Sequence, residues 1–138
     1  MPPRKRQVEE LHGLTEPRLT DAQREHFLRG IGLFNSGKHW HAHESWEAAW
    51  LLMGDDAADD AEIFIRALIQ VASGVHLKRS GRYKGARNHL EKALPKLRLA
   101  PAWFMGIDVA GVRLFAEHQL RNFESTIAFT LRVRPSGA

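Results

Sequence analysis

From Lys38 to Met53 the chain contains neither glycine nor proline, and it is bounded by Gly37 and Gly54. Glycines in those places suit the residues that close helices, so the interval reads as one helix. Its content is unusual. Three histidines, two glutamates and three of the four tryptophans lie between His39 and Trp50. Residues three and four apart share a helix face, so His39, His43 and Glu47 form one stripe, with Trp46 and Trp50 beside it. Glu44 sits about 100° round from His43, and the pair that can meet is therefore His43 with Glu47. A chain that must bury such a helix against others points to an all-α fold.

The remaining segments supply partners for it. Thr20 followed by Gln23 is a capping-box pattern, opening a helix over Asp21 to Ser36 with Phe27, Ile31 and Phe34 inward and Leu28 nearby. Gly30 and Gly32 weaken that helix and permit a close crossing. Ala61 to Ser80 is apolar on most sides, as the buried helix of a bundle is. Its polar insertions Glu62, Arg66 and Gln70 fall four apart. A buried polar atom needs a partner, so Arg66 and Gln70 are expected to reach another helix, with His43 and Glu47 as the obvious mates. The last aspartates of the turn Gly54 to Asp60 suit the N-terminus of that helix.

A fourth helix reads from Tyr83 to Leu94, where Pro95 ends or kinks it, and Pro101 keeps the next segment irregular. Asp108 can cap a fifth over Val109 to Arg121, packed through Val112, Leu114, Phe115 and Leu120. Residues 1–18 are charged, Pro-bearing and without period, which predicts a flexible or loosely draped N-terminus. In residues 122–138 the run Ile127 to Val133 alternates like a strand. With no partner strand expected, it reads as an extended tail over the bundle. The expected architecture is a single-domain bundle of about five helices, built from helical hairpins over residues 19–121. Ser36-Gly37-Lys38 and Ser80-Gly81-Arg82 echo one another, which reads as shared hairpin geometry, two copies being too few for a repeat array.

Composition narrows the chemistry. Cysteine is absent, so disulfides and thiolate metal sites are excluded, and any metal falls to His, Asp, Glu or water. The apolar run Ile63 to Leu77 is broken by Arg66, Gln70 and His76 and is too short for a membrane span. The basic start Met1 to Arg6 lacks the apolar stretch of a signal peptide, which makes a cytoplasmic location the default. The net charge of +4 hides a polar charge map. Every charged residue from Glu44 to Glu62 is acidic, whereas Lys78 to Arg98 holds eight basic residues against Glu91.

Asn35-Ser-Gly37, His43-x-x-x-Glu47-x-x-Trp50, Leu68-Ile-Gln70, Gly81 and Gly85-Ala86 together resemble the bacterial and archaeal family of unknown function numbered 309. The resemblance runs from Phe27 to Leu97 and implies a small all-helical bundle. No activity is established for that family. Its motif has been suggested to bind metal, and by position it falls here on His43, Glu47 and Trp50.

Imidazole and carboxylate one helical turn apart can converge on zinc, manganese or iron. His43 and Glu47 supply two donors, and a third is sought in His39, His76 or Glu62. His43-Glu44-x-x-Glu47 lacks the second imidazole of a zinc-protease helix, and no second Glu-x-x-His supports a di-iron site. With an open metal position, Glu44 or Glu47 would be the base for water activation. The competing reading is a structural cluster in which His43–Glu47 is tied to Gln70 and a tryptophan N–H. Trp46 and Trp50 then belong to the core, Trp40 is partly exposed, and His12, His26, His89 and His118 lie at the surface. The sequence thus describes a small helical protein with a candidate metal site. Its alternative is a non-enzymatic interaction module that pairs with itself or a protein partner. Nucleic acid ranks behind both, because Lys78, Arg79, Arg82, Lys84 and Arg87 surround a turn where Tyr83 alone offers a stacking surface.

Overall fold

The computed structural model describes residues 2–54, 60–122 and 129–134. Its helices are α1 (Asp21–Asn35), α2 (His39–Leu51), α3 (Ala61–Arg79), α4 (Tyr83–Leu99) and α5 (Val109–Arg121). Each of α1 to α4 packs on the next, and α5 closes on α4, so the all-α bundle of hairpins is as expected. No helix among the described residues is long and apolar enough to cross a membrane.

Local chemistry accounts for the boundaries. Thr20 and Gln23 form the reciprocal capping box at the start of α1. The two Ser-Gly turns are the same turn twice. Gly37 and Gly81 have φ of 80° and 77°, and Lys38 and Arg82 each donate an N–H back to Leu33 and Leu77 at 2.9 Å. That is the closing bond of a Schellman cap, which requires the left-handed glycine. Ser36 and Ser80 also donate their hydroxyls to the carbonyls of Gly32 and His76.

α3 lies at the centre, with Ile63, Phe64, Ile65, Leu68 and Val71 buried. α1 meets α2 closely at Gly30. A β-carbon there would stand 2.2 Å from the indole nitrogen of Trp46, which donates to the Phe27 carbonyl at 3.0 Å. The expected close crossing is present, and Gly30 rather than Gly32 makes it.

Several expectations are corrected. α4 runs through Pro95 to Leu99, because buried Ala93, Leu94, Lys96 and Leu97 hold both sides of the proline against the bundle. Packing outweighs the lost N–H bond. Leu114 is 60% exposed and packs nothing inward, although Val112 and Ala116 are buried. The segment after Pro101 forms a small antiparallel hairpin, β1 (Trp103–Phe104) and β2 (Ile107–Asp108). Its two-residue loop, Met105-Gly106, has φ of 51° and 77°, the positive pair that a type I′ turn needs. The described part of the tail is extended, and Val133 bridges Ile107 beside this hairpin.

Before α1, regular structure among the described residues is limited to a single turn, Val8–Glu10. The segment drapes over the bundle and is tied to the start of α3. Arg6 pairs with Asp60 at 2.6 Å, and the Thr15 N–H donates to the same carboxylate at 2.6 Å. Asp60 sits at the α3 N-cap yet makes no side-chain cap bond, because these partners have taken its oxygens. The acidic turn expected over 55–59 lies outside the described residues.

Candidate functional site

α2 and α4 flank α3, and the strip between them is polar. On α3, Glu62, Arg66 and Gln70 follow one another by single turns on that face. α2 contributes Trp40, His43, Glu47 and Trp50. α4 contributes His89, Lys92 and Lys96, a second stripe at helical spacing. The three rows make a seam along the length of the bundle.

At one end every polar group is satisfied. The Glu62 carboxylate accepts from the Trp50 indole at 2.7 Å, the Arg6 N–H at 2.8 Å, and Arg66 at 2.9 and 3.1 Å. Arg66 also donates to the Arg6 carbonyl. Lys96 is buried beside this network and donates to the Lys92 carbonyl at 2.8 Å. Burial first, then the Arg66 charge, pull its pKa down to about 8, against the opposing pull of Glu62.

Further along, partners run out. His43 Nε2 faces Glu47 Oε2 at 3.5 Å, and the imidazole stacks on Trp40 with centroids 4.6 Å apart. Its Nδ1 is buried and has no partner, as are Gln70 Oε1 and His89 Nδ1. Burial lowers the pKa of His43 against the pull of Glu47, and burial with Lys92 and His43 lowers that of His89. Trp40 is 45% exposed and bridges to His76, whose centroid is 5.2 Å away.

The expected site residues are thus brought together only in part. His43 and Glu47 meet. His39 is buried edge-on to Phe34 at 4.6 Å, and burial with Arg79 and His76 takes its pKa to about 4. Glu44 turns away to His41 at 3.3 Å, as the helical geometry requires. Arg66 reaches Glu62 and Arg6, not His43 or Glu47, because an oppositely charged neighbour already stands one turn before it on α3. Neither indole joins the His43 pair: Trp50 serves Glu62, and Trp46 serves the α1 backbone. Of the third donors considered, Glu62 is saturated and His39 faces the core. Among the described residues no three His, Asp or Glu gather as a metal set.

His89, expected at the surface, is half-buried on the seam, a position that its spacing to Lys92 and Lys96 signals. His26 and His118 are likewise half-buried, whereas His12 is exposed. Arg6 carries no sequence signal at all, since its partner Glu62 lies far along the chain. A shallow depression of about 530 Å³ on the opposite side of α2, lined by His26, Arg29, Lys38, His41 and Glu44, faces away from His43.

Residues 27–89 match the family model described as Domain of unknown function (DUF309). This segment resembles that family. It spans α1 from Phe27 through the first turns of α4, and so contains His43, Glu47, Trp50, Gln70 and His89. The Arg6 strap and Lys96 lie outside it. No curated protein matches the chain.

Proposed function

We propose that this protein, through its DUF309-like segment, is a small binding module whose ligand lies along the open half of the seam, against His43, Gln70 and His89. The observation that supports it is that three of the four buried polar atoms without partners among the described residues, His43 Nδ1, Gln70 Oε1 and His89 Nδ1, lie together on the seam, one from each of three helices, with Gln119 Nε2 apart from them on α5. Each such atom costs about 1–3 kcal/mol unless something outside the chain satisfies it. A structural clasp would satisfy them internally, as Glu62 is satisfied two turns away. A ligand with hydrogen-bonding groups restores what the fold gives up. The retained mass of the purified, tag-free protein in native mass spectrometry tests this. A bound species lost in His89→Leu is expected. A bare polypeptide, together with equal affinity of wild type and His89→Leu for every compound screened, would sink the idea.

The second reading is a divalent metal at His43 and Glu47, and it has its own support. Nitrogen and oxygen 3.5 Å apart stand about where two ligands of one ion do. Water or another molecule would complete the sphere for zinc, manganese or iron. Calorimetric titration of zinc, manganese and nickel into wild type and His43→Ala separates this reading from the first. Stoichiometric uptake abolished in the variant supports the metal. No catalytic role is assigned to any residue.

A further inference from the structure

The two Schellman turns that end α1 and α3 come together at one end of the bundle, where the Arg79 guanidinium donates to the Gly37 carbonyl at 3.4 Å. Residues 36–43 and 79–90 contain no acidic side chain, while Lys38, Arg79, Arg82, Lys84 and Arg87 all fall within them. Two large aromatic rings are exposed at this same end. Trp40 in the first turn of α2 is 45% exposed, and Tyr83, the first residue of α4, is 54% exposed. Trp40 packs against His76 of α3, with ring centroids 5.2 Å apart.

Exposed aromatic rings among cations match one polymer in particular. A single strand of nucleic acid presents flat bases and phosphates in alternation, and proteins that hold it combine stacking platforms with a basic track. An acidic peptide would use the charges and leave the rings idle. Duplex would use the phosphate contacts alone, since its bases are already stacked. Tyr83 by itself gives too little stacking surface. The fold supplies the second ring by setting the start of α2 beside the end of α3.

We propose that the α2/α4 end of the bundle binds single-stranded nucleic acid, with bases stacked on Trp40 and Tyr83 and phosphates met by Lys38, Arg79, Arg82 and Lys84. The site adjoins the proposed His43–Gln70–His89 ligand site, since the Trp40 ring stacks on His43; loss of ligand in His89→Leu with unchanged oligonucleotide binding would tell the two apart.

Fluorescence anisotropy of the full chain with labelled oligothymidylate, a duplex of equal length and oligoglutamate, over a salt series, tests the assignment. The single strand is expected to bind best, and its affinity to fall with salt by a slope of about 0.7 per phosphate contacted. Trp40→Leu and Tyr83→Leu should each weaken it about tenfold at unchanged salt slope. Arg82→Gln should reduce the slope by about 0.7. Both rings are half out of the core, so melting temperatures should hold, which circular dichroism checks. Absence of binding at low salt overturns the proposal. So does equal binding of duplex or oligoglutamate with the ring variants unaffected, which would reveal a merely cationic surface.

Discussion

The two halves of the seam are built from the same helices, at the same spacing, and end in opposite states. Around Glu62 one carboxylate gathers an indole N–H, a backbone N–H and a guanidinium, and Arg6 arrives from the N-terminal segment to complete the set. Two turns along α3, His43, Gln70 and His89 bring three polar atoms inside and satisfy none of them. Stability alone would favour the first arrangement everywhere. The contrast separates a part of the seam that holds the fold from a part kept for something else, and perturbing each half in turn can break that separation.

The largest effect is expected at Glu62. Glu62→Leu keeps the side chain's bulk but strands the Trp50 N–H, the Arg6 N–H and the Arg66 guanidinium in a buried place. Removing one partner of a buried ion pair costs about 3–5 kcal/mol, a large share of the stability of a chain this size. Denaturant unfolding should show that loss, together with earlier proteolysis before α1 as the Arg6 strap comes away. A loss below about 1 kcal/mol would mean that the network is no more structural than its neighbour.

Acid should act on the buried histidines, His43 and His89 in the other half and His39 against the core. Burial lowers the pKa of His39, His43 and His89 below the usual 6.5, with His39 near 4. The folded protein therefore binds fewer protons than the unfolded chain between these values, and stability rises with pH across that window. It is complete above about pH 6.5 and is lost as pH falls toward 4, a tenfold difference in proton affinity between the folded and unfolded chain being worth about 1.4 kcal/mol. Thermal melts from pH 7 to pH 4 should show the decline, and His39→Phe should flatten it. A midpoint independent of pH across this range would mean that these histidines are not buried as described.

How much of this was legible in the sequence follows the range of each interaction. The capping box, the paired Ser-Gly turns and the His43–Glu47 contact are local, and residue spacing announces them. Burial of α3 is also legible, because a helix apolar on most sides can sit nowhere else. What escapes is non-local or decided by competition. Spacing sends Arg66 across to α2, but Glu62 stands nearer on its own helix. Pro95 looks like an end, yet four buried neighbours carry α4 past it. The Met105-Gly106 hairpin hides behind Pro101, and Arg6 can be paired with Asp60 only in three dimensions. His89 lies within reach of sequence reasoning, since the α4 stripe has the same spacing as that of α2.

The smallest effect is the most discriminating, because its sign is informative. Gln70→Leu replaces an amide whose oxygen is buried without a partner by a hydrocarbon of similar size. If the site is empty in the purified protein, that exchange removes an unmet acceptor and should be neutral or stabilising by up to about 1 kcal/mol. The opposite sign, a loss of about 1–2 kcal/mol, would show that ordered water or a retained ligand already fills the place. The same substitution at the Glu62 end could never gain stability, since every polar atom there has a partner to lose. Measured side by side, Gln70→Leu and Glu62→Leu should therefore differ in direction as well as size. Adding a ligand that occupies the open half should then stabilise wild type and leave Gln70→Leu behind, by RT ln(1 + [L]/Kd) evaluated with each protein's own affinity.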